Sequence, residues 1–360
     1  MKLDLTVVAD GLGFPEGPVA TQDGTLYFVD IAEQTLMRLD PGMKPEIVAE
    51  IPGGPNGMAI GPDGHAYVCN NGGIFDFVQK PLDPKKGVGD RNTYLLVPNG
   101  VCPGSQYGRH AVDKMGMPVT LPDPAAGSVC KVNLKTGTVT ELYGPSKGHS
   151  LIAPDDITFD AHGPAGSFWF TDCGYQNSKI IRKGGVYAGH VNGQDPIFMA
   201  EIPSANGIGF SKEGDVLYVA DTLFGRLWSL AIDVVRRPDG NPDKSAHTRC
   251  VKRPSPLSPG TVKLTLPGLW VDSLKLEDSD RVCIGTLLEG GITIFDPSDG
   301  STDFLPVGGL APGAAPGDPF TSNLCFGGPD MTDVWITASA SGRIYKGTWP
   351  RPGLKLAYND

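Results

Sequence analysis

Six acids or amides, Glu16, Asn56, Asp155, Asn206, Asp272 and Asn323, each sit at the opening of a short alternating segment. The six segments resemble one another: PEGPV (15–19), PNGMA (55–59), PDDIT (154–158), ANGIG (205–209), VDSLK (271–275) and SNLCF (322–326). If they converge, Glu16, Asp155, Asn206 and Asp272 offer three carboxylates and one amide oxygen to a common centre. Converging carboxylates repel one another, so a cation or a raised pKa must compensate. The set is made of hard oxygen donors with no Cys and no clustered His. Such donors suit Ca²⁺, Mg²⁺ or Mn²⁺ better than copper or structural zinc. Asp or Asn before a strand often makes only a turn hydrogen bond, but a turn role does not require an acid or amide at every repeat.

Elements that could position these residues recur in step with them. A second series follows each opener: LYFVD (26–30), AYVCN (66–70), FWFTD (168–172), LYVAD (217–221), VCIGT (282–286) and VWITA (334–338). A third comprises TLMRL (35–39), SVCKV (128–132), GVYAG (185–189), RLWSL (226–230), ITIFD (292–296) and RIYKG (343–347). The fourth runs EIVAEIP, VTELYG, IFMAEIP, VKLTLPG and TDFLPVG, and only the last unit lacks it. The N-terminal LDLTVVADG has that pattern and could close a ring. Fixed-period self-similarity with alternating strands predicts an all-β chain, a six-bladed β-propeller with four antiparallel strands per blade, as one domain over 1–360. Alternating strand direction puts the openers and the loops between second and third strands on one face. The longest insertion, about 72–126, falls in such a loop and is expected to form a lid carrying Tyr107, Arg109 and His110 as candidate substrate contacts. His149 and Trp270, beside the Asp272 opener, are expected at the same rim. The insertion at about 233–259 falls between third and fourth strands, so it is expected on the opposite face, solvated.

Composition narrows the class. The 360 residues include 49 Gly and 33 Pro with 40 % hydrophobic residues, a profile of many turns and short strands around ample core material. A net charge of −10 without a Lys/Arg run argues against nucleic acid and anionic membranes. No apolar stretch reaches the roughly 18–20 residues of a bilayer span. The start, MKLDLTVVADGLG, has neither a basic region nor a long apolar core, so no signal peptide and a cytoplasmic location are expected. Seven Cys without a C-x-x-C pair read as buried thiols of a reducing compartment. There is no G-x-S-x-G elbow for serine chemistry. GGPNG and GFSKEG lack the strand-loop-helix setting of a phosphate-binding loop.

PEGP, P-x-D-I before a strand, ANGIGFS, the D-S-L opener and TSNLCFGGPDMTDVWITA, in that order over most of the chain, resemble the senescence-marker (regucalcin), gluconolactonase and luciferin-regenerating family. The resemblance implies one divalent metal at the axis, with Ca²⁺ first and Mg²⁺, Mn²⁺ or Zn²⁺ as alternatives, and hydrolysis of a lactone or related ester. Carried over residue by residue, the family's metal ligands fall on Glu16, Asp155, Asn206 and Asp272, and the acid after the third-unit ligand falls on Asp156. Asp155 stands where the family usually has Asn, which adds a formal negative charge. Ala153 stands where sugar-lactone members carry Arg. With the long lid and Trp270, this points to a bulkier or more apolar lactone than a simple aldonolactone. In such a mechanism a carboxylate base, Asp272 first and Asp155 or Asp156 after it, activates water, while Asn56 and Asn323 contact substrate or metal-bound water. Alternatives of other classes are an organophosphate hydrolase of the phosphotriesterase kind and a non-catalytic metal-binding propeller. The expected state is a monomer or small homo-oligomer.

Overall fold

The computed structural model describes residues 1–75, 77–81, 94–98, 127–176, 181–234, 248–308 and 317–359. Tyr107, Arg109 and His110, expected in a lid, lie outside them. Six antiparallel sheets stand around an axis, each led by one of the opener segments as its innermost strand. The first blade is typical, with Pro15–Ala20, Leu26–Asp30, Thr35–Leu39 and Glu46–Glu50 paired in order. The last blade takes Thr321–Gly327, Asp333–Ala338 and Arg343–Thr348 from the C-terminal end, and its fourth strand, Thr6–Ala9, from the N-terminal end. Thr6 pairs with Lys346 and Val7 with Tyr345, so the ring is closed by the chain's own beginning. Closure of this kind leaves no blade with an unpaired third strand.

Burial follows position within the blade. The innermost strands Pro15–Ala20, Pro55–Ile60, Pro154–Phe159 and Ala205–Phe210 are buried at every residue, whereas fourth strands such as Glu46–Glu50 and Ile197–Glu201 bury little. The apolar core is correspondingly divided into clusters that lie between neighbouring blades. Val19, Val29 and Leu36 of the first blade meet Met58, Val68 and Val132 of the second. Trp169 and Val186 of the third meet Ile208, Leu217 and Leu230 of the fourth.

Repeated hydrogen bonds fix the loop that leads into each opener. Asp30, which ends the second strand of its blade, accepts from the backbone N–H of Gly13 at 2.7 Å and of Phe14 at 2.8 Å. Asp172 accepts from Ile152 and Ala153 at 2.7 and 2.9 Å, and Asp221 accepts from Ser204 Oγ at 2.6 Å. Asn70 does the same for Gly54 at 2.9 Å. The acids at the ends of LYFVD, FWFTD and LYVAD are therefore loop anchors, one blade layer away from the openers.

Two inserted regions behave differently. Between second and third strands of the second blade, Phe77–Pro81 pairs with Tyr94–Pro98 as a separate hairpin. In the fourth blade, Arg226–Val234 is long enough to pair with both Arg249–Lys252 and Thr261–Thr265. The expectation of a solvated insertion is corrected at Arg249, which is 7 % exposed and pairs with the buried Asp160 at 2.6 Å. A guanidinium carried to a neighbouring blade's buried acid is inside because each desolvated charge compensates the other. Among the described residues six Cys are free thiols, and no helix is long and apolar enough to cross a membrane.

Candidate active site

Each innermost strand breaks its register at the opener. Pairing with the second strand shifts between Glu16 and Val19, Pro55 and Met58, Pro154 and Ile157, Ala205 and Ile208, Val271 and Leu274, and Thr321 and Asn323. Such an irregularity bends a strand locally and re-aims one side chain. Repeated around the ring, it turns polar residues toward the axis at the end of strands that are otherwise apolar. Neighbouring inner strands approach closely at the same level. A Cβ on Gly57 would run into the backbone of Asp155 and Asp156, and one on Gly207 into the backbone from Asp272 to Leu274. Glycine after the opener is thus what lets adjacent blades bring their openers together.

The convergence produces a cavity of about 230 Å³ with Glu16, Asn56, Asp155, Asn206 and Asp272 on its polar side. Glu16, Asp155, Asn56 and Asn206 are buried, whereas Asp272 keeps part of its surface open. Asn323 is fully buried and donates from Nδ2 to Glu16 Oε2 at 2.8 Å, while the Gly17 N–H donates to the same oxygen at 2.6 Å. Thr171 Oγ1 donates to the Asn206 carbonyl at 2.6 Å and accepts from the Asp156 N–H at 3.0 Å, which ties the third and fourth blades together beneath the cavity.

Electrostatics set this cluster apart. Desolvation raises the Glu16 carboxyl above its ordinary range, with the Asp156 charge adding to it and hydrogen bonds from Ser322, Asn323 and Gly17 opposing. Desolvation pushes Asp155 well up, followed by the charges of Asp156 and Glu16. Asp272 is pushed well up too, first by burial and then by Glu16 and Asp155, against a hydrogen bond from Asn206. Three carboxyls raised by burial and by neighbouring carboxylates, Asp156 included, constitute a site short of positive charge.

Among the described residues no three His, Cys, Asp or Glu side chains are drawn into a closed cage. Two acceptors in the cluster, Glu16 Oε1 and Asn206 Oδ1, are nonetheless buried without a hydrogen-bond partner. Buried acceptors are seldom left orphaned, because each costs about 1–3 kcal/mol. Both orphans belong to the oxygen set that lines the cavity with Asp155 and Asp272, so the residues fit a hard divalent cation.

Most of the remaining wall is apolar, with the hydroxyl groups of Tyr175, Ser204 and Thr222 set into it. Phe14 meets Phe77 at 5.1 Å and Phe320 at 5.7 Å between ring centroids, and Ile74, Leu223 and Trp270 continue the lining. Trp270 is the one aromatic of this wall singled out above. Phe14 and Phe320 could have been found by noting the apolar residue just before PEGP and TSN. Cys173 also lines the cavity. Three expected site residues lie off the lining: Asn323, fully buried behind Glu16, and two others. His149 packs edge-on against Tyr143 at 5.5 Å and approaches Asp195 at 3.9 Å, away from the lining. Asp156 is 1 % exposed, lies behind the lining, and is engaged by Lys275 at 3.4 Å.

Comparison with solved structures agrees with the ring. A gluconolactonase from Xanthomonas campestris is similar at 17 % identity and a TM-score of 0.60, covering 96 % of this chain and 89 % of that one. Regucalcin from Agrobacterium tumefaciens, described as a calcium-binding protein, is similar at 16 % identity and a TM-score of 0.59, covering 99 % of both chains. A luciferin-regenerating enzyme is similar at 14 % identity and a TM-score of 0.59, covering 98 % of this chain and 99 % of that one. None of the curated protein sequences compared with this chain matches it. The family model described as the SMP-30/gluconolactonase/LRE-like region matches residues 14–340, and with the openers, their register breaks and the ring they build, the chain belongs to that family.

Proposed function

We propose that this protein is a divalent-metal-dependent hydrolase that opens a lactone ring to a hydroxy acid, with a preference for lactones bulkier or less polar than simple aldonolactones. The observation that carries the reading is the juxtaposition in one cavity of three desolvated carboxylates and an orphaned amide oxygen with an aromatic wall. Membership of a family whose model is described by gluconolactonase supports the reaction class. The similarity to a calcium-binding regucalcin supports Ca²⁺ as the first metal to try.

Glu16, Asp155, Asn206 and Asp272 would hold the cation. When bound, it polarises the lactone carbonyl and steadies the negative charge that develops on its oxygen. The chain's own groups do the rest. Asn323 and Gly17 hold one Glu16 oxygen, which leaves the other directed to the site. Asp272, the most open carboxylate of the set, would take a proton from attacking water. The new C–O bond forms at the carbonyl carbon, the ring C–O bond breaks, and the proton passes to the departing alkoxide. Asn56 lines the cavity and can donate to the substrate. Phe14, Phe77 and Phe320 exclude water from their side of the cavity and offer no partner for sugar hydroxyls, while Trp270 adds an apolar face. Hydroxyl groups forced against such a wall lose their hydration without compensation.

A panel of alkyl-substituted and sugar lactones, assayed before and after chelation, with each divalent metal added back and Asp272→Ala as control, tests this. The expected result is metal-dependent ring opening, fastest for apolar lactones and lost in the variant. Turnover that survives both chelation and Asp272→Ala overturns it. Cleavage of aryl phosphates or P–F bonds in place of lactones moves the assignment to an organophosphate hydrolase. Stoichiometric metal binding without either activity leaves a binding propeller.

A further inference from the structure

Below the cavity the chain carries a cation of its own. Lys275 lies three residues after Asp272 on the same innermost strand, in a stretch from Ser273 to Leu276 that is entirely buried. Its Nζ is 3.4 Å from Asp156 Oδ2 and 3.1 Å from the Leu274 carbonyl. Asp156 directly follows Asp155, and its other carboxylate oxygen accepts from the Ile157 N–H at 2.8 Å. The ion pair therefore bridges the third and fifth blades one layer behind two of the residues that would hold the metal. Among the described residues it is the one ion pair recorded for Glu16, Asp155, Asp156 or Asp272.

Solvent is kept from this pair on the far side. The C-terminal segment crosses the opposite mouth of the central channel, where Leu354, Leu356, Ala357 and Asn359 join Met58, Phe159, Phe210 and Lys275 around a residual space of about 20 Å³. That is room for about one water. The segment is pinned at both ends. The Leu354 N–H donates to the Leu276 carbonyl at 2.8 Å, and the Tyr358 ring stacks edge-on with Phe159 at 5.3 Å. An ammonium buried among apolar strands is costly unless it offsets charge nearby. Four carboxylates at one end of a sealed channel are such a charge.

We propose that Lys275 is a positioning residue for the cation site. Its ammonium holds Asp156 in place behind the carboxylates and sets how much negative charge an incoming dication meets. The inference rests on the metal-dependent reading above. Lys275 touches neither the cavity nor the substrate and acts through Asp156 alone.

The test compares wild type, Asp156→Asn, Lys275→Met and the double variant, reading Ca²⁺ and Mn²⁺ affinity by calorimetry and unfolding midpoints in chelator. Removing one negative charge while the ammonium stays should weaken dication binding about tenfold or more in Asp156→Asn. Removing the ammonium as well should restore affinity to within about threefold of wild type, since the local net charge returns to its starting value. Each single change should lower the unfolding midpoint, and the double variant should regain most of that loss. A lysine that serves packing alone predicts a double variant that binds no better than Asp156→Asn, and that result overturns the proposal. If a single variant does not fold, the double variant decides: a folded protein of near-wild-type affinity supports the pair, and loss of either overturns it. A wild-type chain that binds no dication overturns the metal reading and this inference together. Binding without lactone turnover sinks only the hydrolase.

Discussion

At the scale of single residues, what distinguishes the six openers is where their charge is put. Glu16, Asp155 and Asp272 have pKa values raised first by burial and then by neighbouring carboxylates, Asp156 among them. A carboxyl whose pKa is raised on folding favours the folded state most fully below its unfolded value, 3.8 for Asp272, and that contribution is lost as pH rises through the higher folded value. Without metal, wild type should therefore lose stability relative to Asp272→Asn as pH rises. At pH 7–8 in chelator the variant should melt higher, by roughly 2–4 °C for about 1 kcal/mol relieved. The gap should close near pH 4, and saturating Ca²⁺ should reverse the order by binding the folded wild type. Melts of the two proteins across pH, with and without metal, check this. A wild type that melts above the variant at neutral pH in chelator contradicts it.

At the scale of elements, the strands that matter for function are the innermost ones, and the segments that hold them are found elsewhere in the chain. Glu277, at the end of the fifth innermost strand, is fully buried and accepts from Trp349 Nε1 at 2.7 Å and from Arg351 Nη2 at 2.7 Å. The C-terminal segment is thus fastened to the fifth blade by a buried charge. Arg351→Ala should strand the Glu277 carboxylate with two donors fewer and without its guanidinium counter-charge. Breaking such a pair from one side costs about 3 kcal/mol. Denaturant unfolding should show that loss in the midpoint with little change in slope, and Arg351→Lys should recover only part of it because the guanidinium makes two bonds. An unchanged midpoint for Arg351→Ala would show that the segment is not fastened there.

At the scale of the whole molecule, closure is the decisive feature. Thr6–Ala9 completes the blade whose other strands come last in the sequence, so the ends of the chain are joined through hydrogen bonds between Thr6, Val7 and Lys346, Tyr345. Deleting residues 2–9 leaves Arg343–Thr348 as an open edge. Exposed edges invite pairing with other chains. The truncated protein should unfold at lower denaturant by several kcal/mol and self-associate in light scattering. A truncated chain as stable and monodisperse as the full one would mean that closure is not what holds the ring.

How much of this was legible in sequence depends on the range of the interaction. Strand alternation and the repeat are local patterns with a period of 2 within a strand, and they identified the blades, the N-terminal closing strand and the openers Glu16, Asn56, Asp155, Asn206, Asp272 and Asn323 before any coordinates. Which face of a strand a residue meets is also local, because one strand's pleat decides it. What lies across an inter-blade gap is not. Phe14, Phe77 and Phe320 form one wall although more than 300 residues separate the first from the last. Lys275 finds Asp156 across 119 residues, and Arg249 leaves a Pro- and charge-rich insertion to be buried against Asp160. His149, near the same rim by topology, turns instead to Tyr143 because side-chain packing, and not strand order, selects its neighbours. The sequence by itself determined the ring and the polar residues that open each blade, since both are written in short repeating patterns. Only the tertiary structure decided which of those residues share a cavity, what apolar surface faces them and which buried charge stands behind, because these depend on contacts between distant segments whose geometry no local pattern encodes.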